Sequence, residues 1–119
     1  MFLAGCLRIR RADYEPVNLV VLNSRKSSVS ANVEIRNSGD ETVYEEEFHL
    51  DEENRSERRD NVIEPGSYMF YVTDHDGETY EYDFSMDGCE WNEVVVRLKW
   101  DILQSEGFVD IARGQKNCR

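Results

Sequence analysis

The sequence predicts an all-β fold, specifically a two-sheet antiparallel β-sandwich of seven to eight strands. A hairpin rich in aromatic residues lies at the centre of the chain and alternates between apolar and polar side chains. Similar short segments recur about every 10 residues, as the strands of a sandwich do. No segment has the apolar period of 3.6 residues that marks a helix. Because 119 residues suffice for one core, we expect one domain.

The central hairpin joins residues 67–73 to residues 79–86. Successive side chains of a strand point to opposite faces of a sheet, so this alternation predicts half-buried strands. Asp76-Gly77 supplies the turn, since glycine accepts a positive φ. The expected inward-facing residues are Tyr68, Phe70, Val72, Tyr80, Tyr82, Phe84 and Met86.

The remaining strands flank the hairpin on both sides. The segments with strand character are residues 7–11, 17–22, 29–36, 42–50, 93–100 and 108–112. Residues 17–22 are nearly all apolar, so we expect them to be buried on both sides or to lie at the interface between the sheets. Glu46 falls on the apolar face of its strand, and we expect it near a sheet end, where it reaches water. Residues 51–61 are charged throughout and predict a solvated connection with a short polar edge strand.

The charge balance limits the partners. The net charge of −11 argues against nucleic acid, which needs a basic surface, and against docking on an anionic membrane by charge alone. The basic residues are mostly Arg, with Lys only at positions 26, 99 and 116. High acidity with Arg favoured over Lys suggests a protein from a high-salt environment, which screens self-repulsion. The alternative is an ordinary acidic domain.

The N-terminal end predicts a lipid anchor. Residues 3–6, Leu-Ala-Gly-Cys, resemble a lipobox, in which the thiol of Cys6 is acylated. The apolar region that should precede a lipobox is missing, so the start lies upstream, the chain was trimmed, or the match is accidental. We expect residues 1–6 to be the remnant of a signal and residues 7–119 to form the single domain. An accidental match would place the protein in the cytoplasm.

Two further features fit an extracytoplasmic location. If Cys6 is acylated, Cys89 and Cys118 remain and can form a disulfide, which requires an oxidising setting; the alternative is two free thiols. Asn54 begins an N-glycosylation sequon in the charged stretch, although such tripeptides occur often by chance. No apolar run approaches the roughly 20 residues that span a bilayer.

Three stretches together carry a family resemblance. They are VEIRNSGDETVYEEEFHLDEEN, IEPGSYMFYVTDHDGETYEYDFSMDGC and EVVVRL. Their order and spacing resemble the immunoglobulin-like (Ig-like) domains of haloarchaeal secreted lipoproteins, over residues 17–118. The resemblance implies an Ig-like sandwich outside the cell, lipid-anchored through Cys6. It implies no activity.

The hairpin turn is the candidate metal site. Asp74, Asp76 and Glu78 offer oxygen ligands in a fragment of a calcium loop, without the distal Glu of the full pattern. The alternative is a turn that uses Asp and Gly for backbone geometry. With only His49 and His75 and no Cys-x-x-Cys, zinc and copper are not expected. Calcium is therefore the one cofactor considered, and the main expectation is that the domain has no cofactor.

The functional prediction is a non-catalytic, extracytoplasmic domain with a structural or interaction role. Glu45 and Glu47 share a face, but such pairs occur everywhere on an acidic surface, and no Ser or Cys nucleophile has a recognisable partner His. A binding surface for a protein or a carbohydrate is the better alternative to a purely structural role. Its candidate residues, unless both faces of their strands are buried, are Met69, Tyr71, Trp91 and Val95. The second candidate is a ligand- or calcium-binding accessory domain.

Overall fold

Eight β-strands form two four-stranded sheets that pack face to face in the computed structural model. The structure describes residues 16–52, 55–86, 91–101 and 106–115. The strands are β1 (Val17–Asn23), β2 (Val29–Asn37), β3 (Thr42–Leu50), β4 (Arg55–Ile63), β5 (Gly66–Asp74), β6 (Thr79–Met86), β7 (Trp91–Asp101) and β8 (Glu106–Gln115). Sheet A has the order β4-β1-β7-β8, and sheet B has the order β3-β2-β5-β6. The predicted β-sandwich is confirmed. The short strand expected at residues 7–11 lies outside the described residues.

The strand directions give the sandwich two distinct ends. Every strand pair that the structure describes is antiparallel except β1 with β7, which run parallel. We call the end where β1 begins at Val17 and β8 ends at Gln115 the terminal pole. The opposite end, which holds Asn23 and the β5–β6 turn after Asp74, is the loop pole.

The core is one apolar layer between the sheets, to which each strand contributes one face. In β2 the predicted alternation is confirmed, because its four apolar side chains are all buried. In β1 the alternation is equally regular, with Val17, Leu19 and Val21 fully buried and Val20 and Leu22 half-buried. Of the two expectations for this strand, the interface between the sheets is therefore the correct one.

The aromatic hairpin packs as predicted. Phe70 is fully buried and meets the ring of Phe84 edge-on, with 5.6 Å between the ring centroids. The hydroxyl of Tyr82 donates a hydrogen bond of 3.0 Å to the carbonyl of Val109, which links sheet B to sheet A. Gly77 has a φ of 88°, the conformation for which glycine was expected in the turn.

Strand β4 is longer than the sequence indicates. The charged stretch was expected to be a connection with a short edge strand, but β4 covers nine residues and forms the edge of sheet A. Its pairing with β1 shifts register where Asn61 takes a φ of 56° and donates its backbone N–H to Asn18 Oδ1 at 2.9 Å. The polar composition of β4 gives no apolar alternation from which to predict a strand. The strand is stabilised instead by backbone pairing along β1.

Glu46 does not lie near a sheet end, contrary to expectation. It pairs with Val33 in the middle of β3 and meets Arg59 of the opposite sheet, with 2.8 Å between Arg59 Nη2 and Glu46 Oε2. The hydroxyl of Tyr44 donates to the same carboxylate, and the Arg59 guanidinium lies 5.0 Å from the ring centroid of Phe48. The Glu46–Arg59 ion pair therefore links the two sheets on this side of the sandwich. It also compensates the charge that Glu46 places on the apolar face of β3.

The Glu46 ion pair predicts an acid-sensitive contribution to stability. Hydrogen bonds from Arg59, and then from Tyr44, hold the pKa of Glu46 below its ordinary value of 4.5. A depressed folded-state pKa stabilises the fold above 4.5, and this stabilisation is lost as the pH falls through the folded-state pKa. We therefore expect wild type to melt at a higher temperature than Glu46→Gln at neutral pH, and the difference to disappear on acidification.

The measurement is the thermal unfolding midpoint between about pH 7 and about pH 2. Glu47→Gln is the matched control, because Glu47 is the exposed neighbour on the outer face of β3. A difference between wild type and Glu46→Gln that stays constant over this pH range would contradict the assignment.

Candidate functional site

A buried ion pair is the most unusual polar feature of the loop pole. Arg25 is 3% exposed and Asp74 is 4% exposed, with 3.6 Å between Arg25 Nη2 and Asp74 Oδ2. Arg25 Nε donates to the carbonyl of Lys99 at 3.0 Å, and Arg25 Nη1 lies 3.4 Å from His75 Nδ1. One side chain from the β1–β2 loop thus contacts β7 in sheet A and the β5–β6 turn of sheet B.

Asn23 holds the β1–β2 loop in the shape that buries Arg25. Asn23 Oδ1 accepts the backbone N–H of Arg25 at 2.9 Å, and Asn23 Nδ2 donates to the carbonyls of Ser27 and Asp51. An Asn that bonds the backbone two residues on is a common turn former. Residues 23–28 lie between two predicted strands, and nothing in their composition distinguishes a buried Arg from an exposed one.

The predicted calcium ligands form a tight hairpin turn. Asp74 Oδ1 accepts the backbone N–H groups of Asp76 and Glu78 at 3.0 and 3.1 Å, and Asp74 Oδ2 faces Arg25. Asp76 and Glu78 are exposed. Within the described residues, no group of three His, Cys, Asp or Glu is placed to hold a metal ion. The alternative interpretation, in which Asp serves the backbone geometry of the turn, accounts for the contacts of the Asp74 side chain. Calcium binding stays a prediction.

Both histidines of the chain line one groove of about 350 Å³ at the loop pole. Its lining residues are Ser28, Val29, Ser30, His49, Leu50, Asp51 and His75. The sequence offered no Ser nucleophile with a recognisable partner His, and in the structure Ser30 Oγ lies 2.8 Å from His49 Nδ1. Ser30 and His49 are register partners on adjacent strands, a pairing that stabilises sheets in general. In the described part of the chain no carboxylate orients His49, as a catalytic base would need.

The predicted binding residues lie on two different surfaces. Met69 and Tyr71 are half-buried on the outer face of sheet B and line a second groove of about 270 Å³. The guanidinium of Arg36 lies 4.4 Å from the centroid of the Tyr71 ring. Val95 is half-buried on the outer face of sheet A, and the side chain of Trp91 lies outside the description. Met69, Tyr71 and Val95 therefore face outward as expected, but they do not form one strip.

The two outer faces carry different charge. On the outer face of sheet B, Arg36 is the one Arg or Lys among the described residues. The acidic residues on that face are Glu34, Glu45, Glu47, Glu81 and Asp83. On the outer face of sheet A, the charged side chains that the structure describes are instead paired. The pairs are Arg58 with Asp60 and Glu93, and Arg97 and Lys99 with Asp110.

Four predicted site residues fall outside the described ranges. They are the lipidation candidate Cys6, the disulfide candidates Cys89 and Cys118, and the sequon residue Asn54. The described ranges contain no helix that is long and apolar enough to cross a membrane.

The fold and these surfaces define an Ig-like domain without a described catalytic centre. A family model for the halobacterial Ig-like domain matches residues 28–101, so the chain belongs to the halobacterial Ig-like domain family. This family supports a non-catalytic structural or interaction domain. The resemblance over residues 17–118 is thus confirmed for the part that the family model covers.

Solved structures share the fold. One of them is the NMR structure of a protein from Eubacterium rectale, with 18% sequence identity and a TM-score of 0.52. The similarity covers 84% of this chain and 91% of the other chain. At this identity the likeness concerns the fold alone. Comparison with curated proteins gave no match.

The buried ion pair predicts a strongly non-additive pair of substitutions. Arg25→Met leaves the Asp74 carboxylate buried without its partner, and Asp74→Asn does the same to the guanidinium. We expect each single variant to lose about 3–5 kcal/mol of unfolding free energy. The double variant should lose clearly less than the sum, because it leaves no uncompensated charge.

Chemical denaturation of the three variants and wild type measures this coupling. Asp74→Asn keeps an oxygen for the turn hydrogen bonds, so the cycle isolates the charge. Arg58→Met is the control, since its ion pairs are exposed and should contribute no more than about 1 kcal/mol. Additive losses at Arg25 and Asp74 would show that the two charges do not stabilise each other.

Proposed function

We propose that this Ig-like domain is a non-catalytic module that acts outside the cell, with a structural or interaction role. In this proposal a lipid on Cys6 anchors it to the membrane, and a disulfide between Cys89 and Cys118 closes it. Its partner is a protein or a carbohydrate. The membership in an Ig-like family supports the non-catalytic role, and the lipobox-like residues 3–6 support the anchor.

The observation that carries the proposal is that the first described strand begins at the same end of the sandwich at which the last described strand ends. Val17 begins β1 and Gln115 ends β8, and both lie at the terminal pole. Cys6 precedes Val17 by 11 residues, so its reach is at most roughly 40 Å. An anchor on Cys6 would hold the terminal pole towards the membrane and leave the loop pole free to project away from it.

Strand register supports the disulfide. Trp91 of β7 pairs with Gln115 of β8 at the terminal pole. Cys89 comes two residues before Trp91, and Cys118 comes three residues after Gln115. Each cysteine thus lies within three residues of this paired position, and a disulfide joins Cα atoms that are about 4.4–6.8 Å apart. Such a bridge would stabilise the domain by about 2–4 kcal/mol and would persist only in an oxidising compartment.

The described grooves give less support to catalysis than to binding. The groove with both histidines contains a Ser–His contact but no carboxylate that bonds His49 among the described residues. The groove beside Tyr71 has an aromatic and a thioether side chain in reach of a ligand, as binding surfaces do. An interaction role therefore accounts for more of the surface than a reaction does.

The intact mass of the protein from its native host tests the anchor and the disulfide together. We expect a chain that begins at Cys6, carries a lipid-sized increment and gains two hydrogens on reduction. Cys6→Ser should abolish the lipid and move the protein out of the membrane fraction. Cys89→Ser is the matched control, because it should abolish the mass change on reduction and leave the lipid in place. An unmodified chain that starts at Met1 with three free thiols would refute the proposal and indicate the cytoplasm.

A further inference from the structure

Apolar side chains form a strip across the outer face of sheet A. Val20 of β1 pairs with Val95 of β7, and Val95 pairs with Ala112 of β8. Leu22, the next outward-facing residue of β1 after Val20, extends the strip along that strand. All four point away from the core, because their neighbours along each strand are the buried ones, and all four are half-buried. This strip is the most apolar part of the two outer faces in the described structure.

Paired charges surround the strip and cancel one another. Arg58 Nη1 lies 2.9 Å from Glu93 Oε2, and Arg97 Nη2 lies 3.0 Å from Asp110 Oδ2. Among the side chains that the structure describes on this face, three are basic and three are acidic, whereas the outer face of sheet B has a clear acidic excess. We call the outer face of sheet A the neutral face, defined by Val20, Leu22, Val95 and Ala112 with Arg58 and Asp110 at its sides.

A chain with a net charge of −11 restricts how its copies can meet. Most approaches bring acidic surfaces together, which costs free energy at low and moderate salt. The neutral face avoids this repulsion and offers apolar area to bury. It is therefore the surface on which two copies can associate with the smallest electrostatic penalty.

We infer that the neutral face is a self-association surface whose partner is a second copy of this chain. Consider a two-fold axis that lies in the interface, runs parallel to the strands and passes between β1 and β7. Val20 then opposes Val95 of the second copy, and Arg58 at the β4 side approaches Asp110 of the second copy at its β8 side. The face is complementary to itself, as a two-fold interface requires.

The size of the face sets the expected affinity. Four strands at a spacing of about 4.8 Å and seven residues of each at about 3.3 Å give a patch of roughly 20 by 20 Å. Two such patches bury less than the roughly 1,200–2,000 Å² of a stable interface, so the dimer is weak and transient. If the proposed lipid anchor is correct, the two-fold axis stands upright on the membrane, and the partners are neighbours on the same membrane.

Sedimentation velocity of the unlipidated full chain, in reductant, tests the surface independently of the anchor. Reductant prevents intermolecular disulfides from producing dimers. We expect a reversible dimer whose dissociation constant falls as salt rises from about 0.2 to about 3 M, because screening removes repulsion and salt strengthens apolar association. Val95→Glu should raise the dissociation constant by about tenfold or more. Val95→Thr, which keeps the shape, should raise it less.

Val43→Glu is the matched control, since Val43 is an exposed Val on the outer face of sheet B. It should leave the dissociation constant unchanged, and circular dichroism confirms that every variant is folded. Three results would overturn the inference: a monomer at all salt concentrations, a dimer that weakens with salt, or equal effects of Val43→Glu and Val95→Glu. Because the chain carries no lipid here, none of these results bears on the anchor, which the intact mass tests.

Discussion

Each strand of this sandwich buries only one face, and the rest of the structure depends on that constraint. A sheet with one apolar side must cover it with another sheet, so the two sheets form a single apolar layer between them. The alternation in β1 and β2 is therefore the main determinant of the fold. With one layer of core, every polar group that falls on an inner face needs a partner within the protein.

Two ion pairs meet that need at different places. Glu46 and Arg59 link the edge strands of the two sheets, while Arg25 and Asp74 link the loops at one end. The first pair is half-exposed and the second is almost fully buried. The buried pair is the more exacting of the two, because its charges have little water to replace a lost partner.

The sequence was most informative where side-chain alternation decides the structure. Period-two patterns predicted β2, β5 and β6 closely, because burial of one face produces that pattern directly. They could not reveal the burial of Arg25 or the position of Glu46, since both depend on residues far away in sequence. They also missed the full length of β4, which is stabilised by backbone pairing, and could not show that Tyr71 and Val95 lie on opposite outer faces.

The parallel pairing of β1 with β7 has a consequence for how the chain folds. Val20 and Val95 are adjacent in sheet A but 75 residues apart in sequence, so their contact closes a long loop. Sheet B uses strands β2, β3, β5 and β6, all of which are synthesised before β7. A nascent chain can therefore complete sheet B while only β1 and β4 of sheet A exist. Until β7 and β8 follow, the apolar side of sheet B is not fully covered. Domains dominated by such distant contacts fold slowly, and the incomplete sandwich exposes its core for that time.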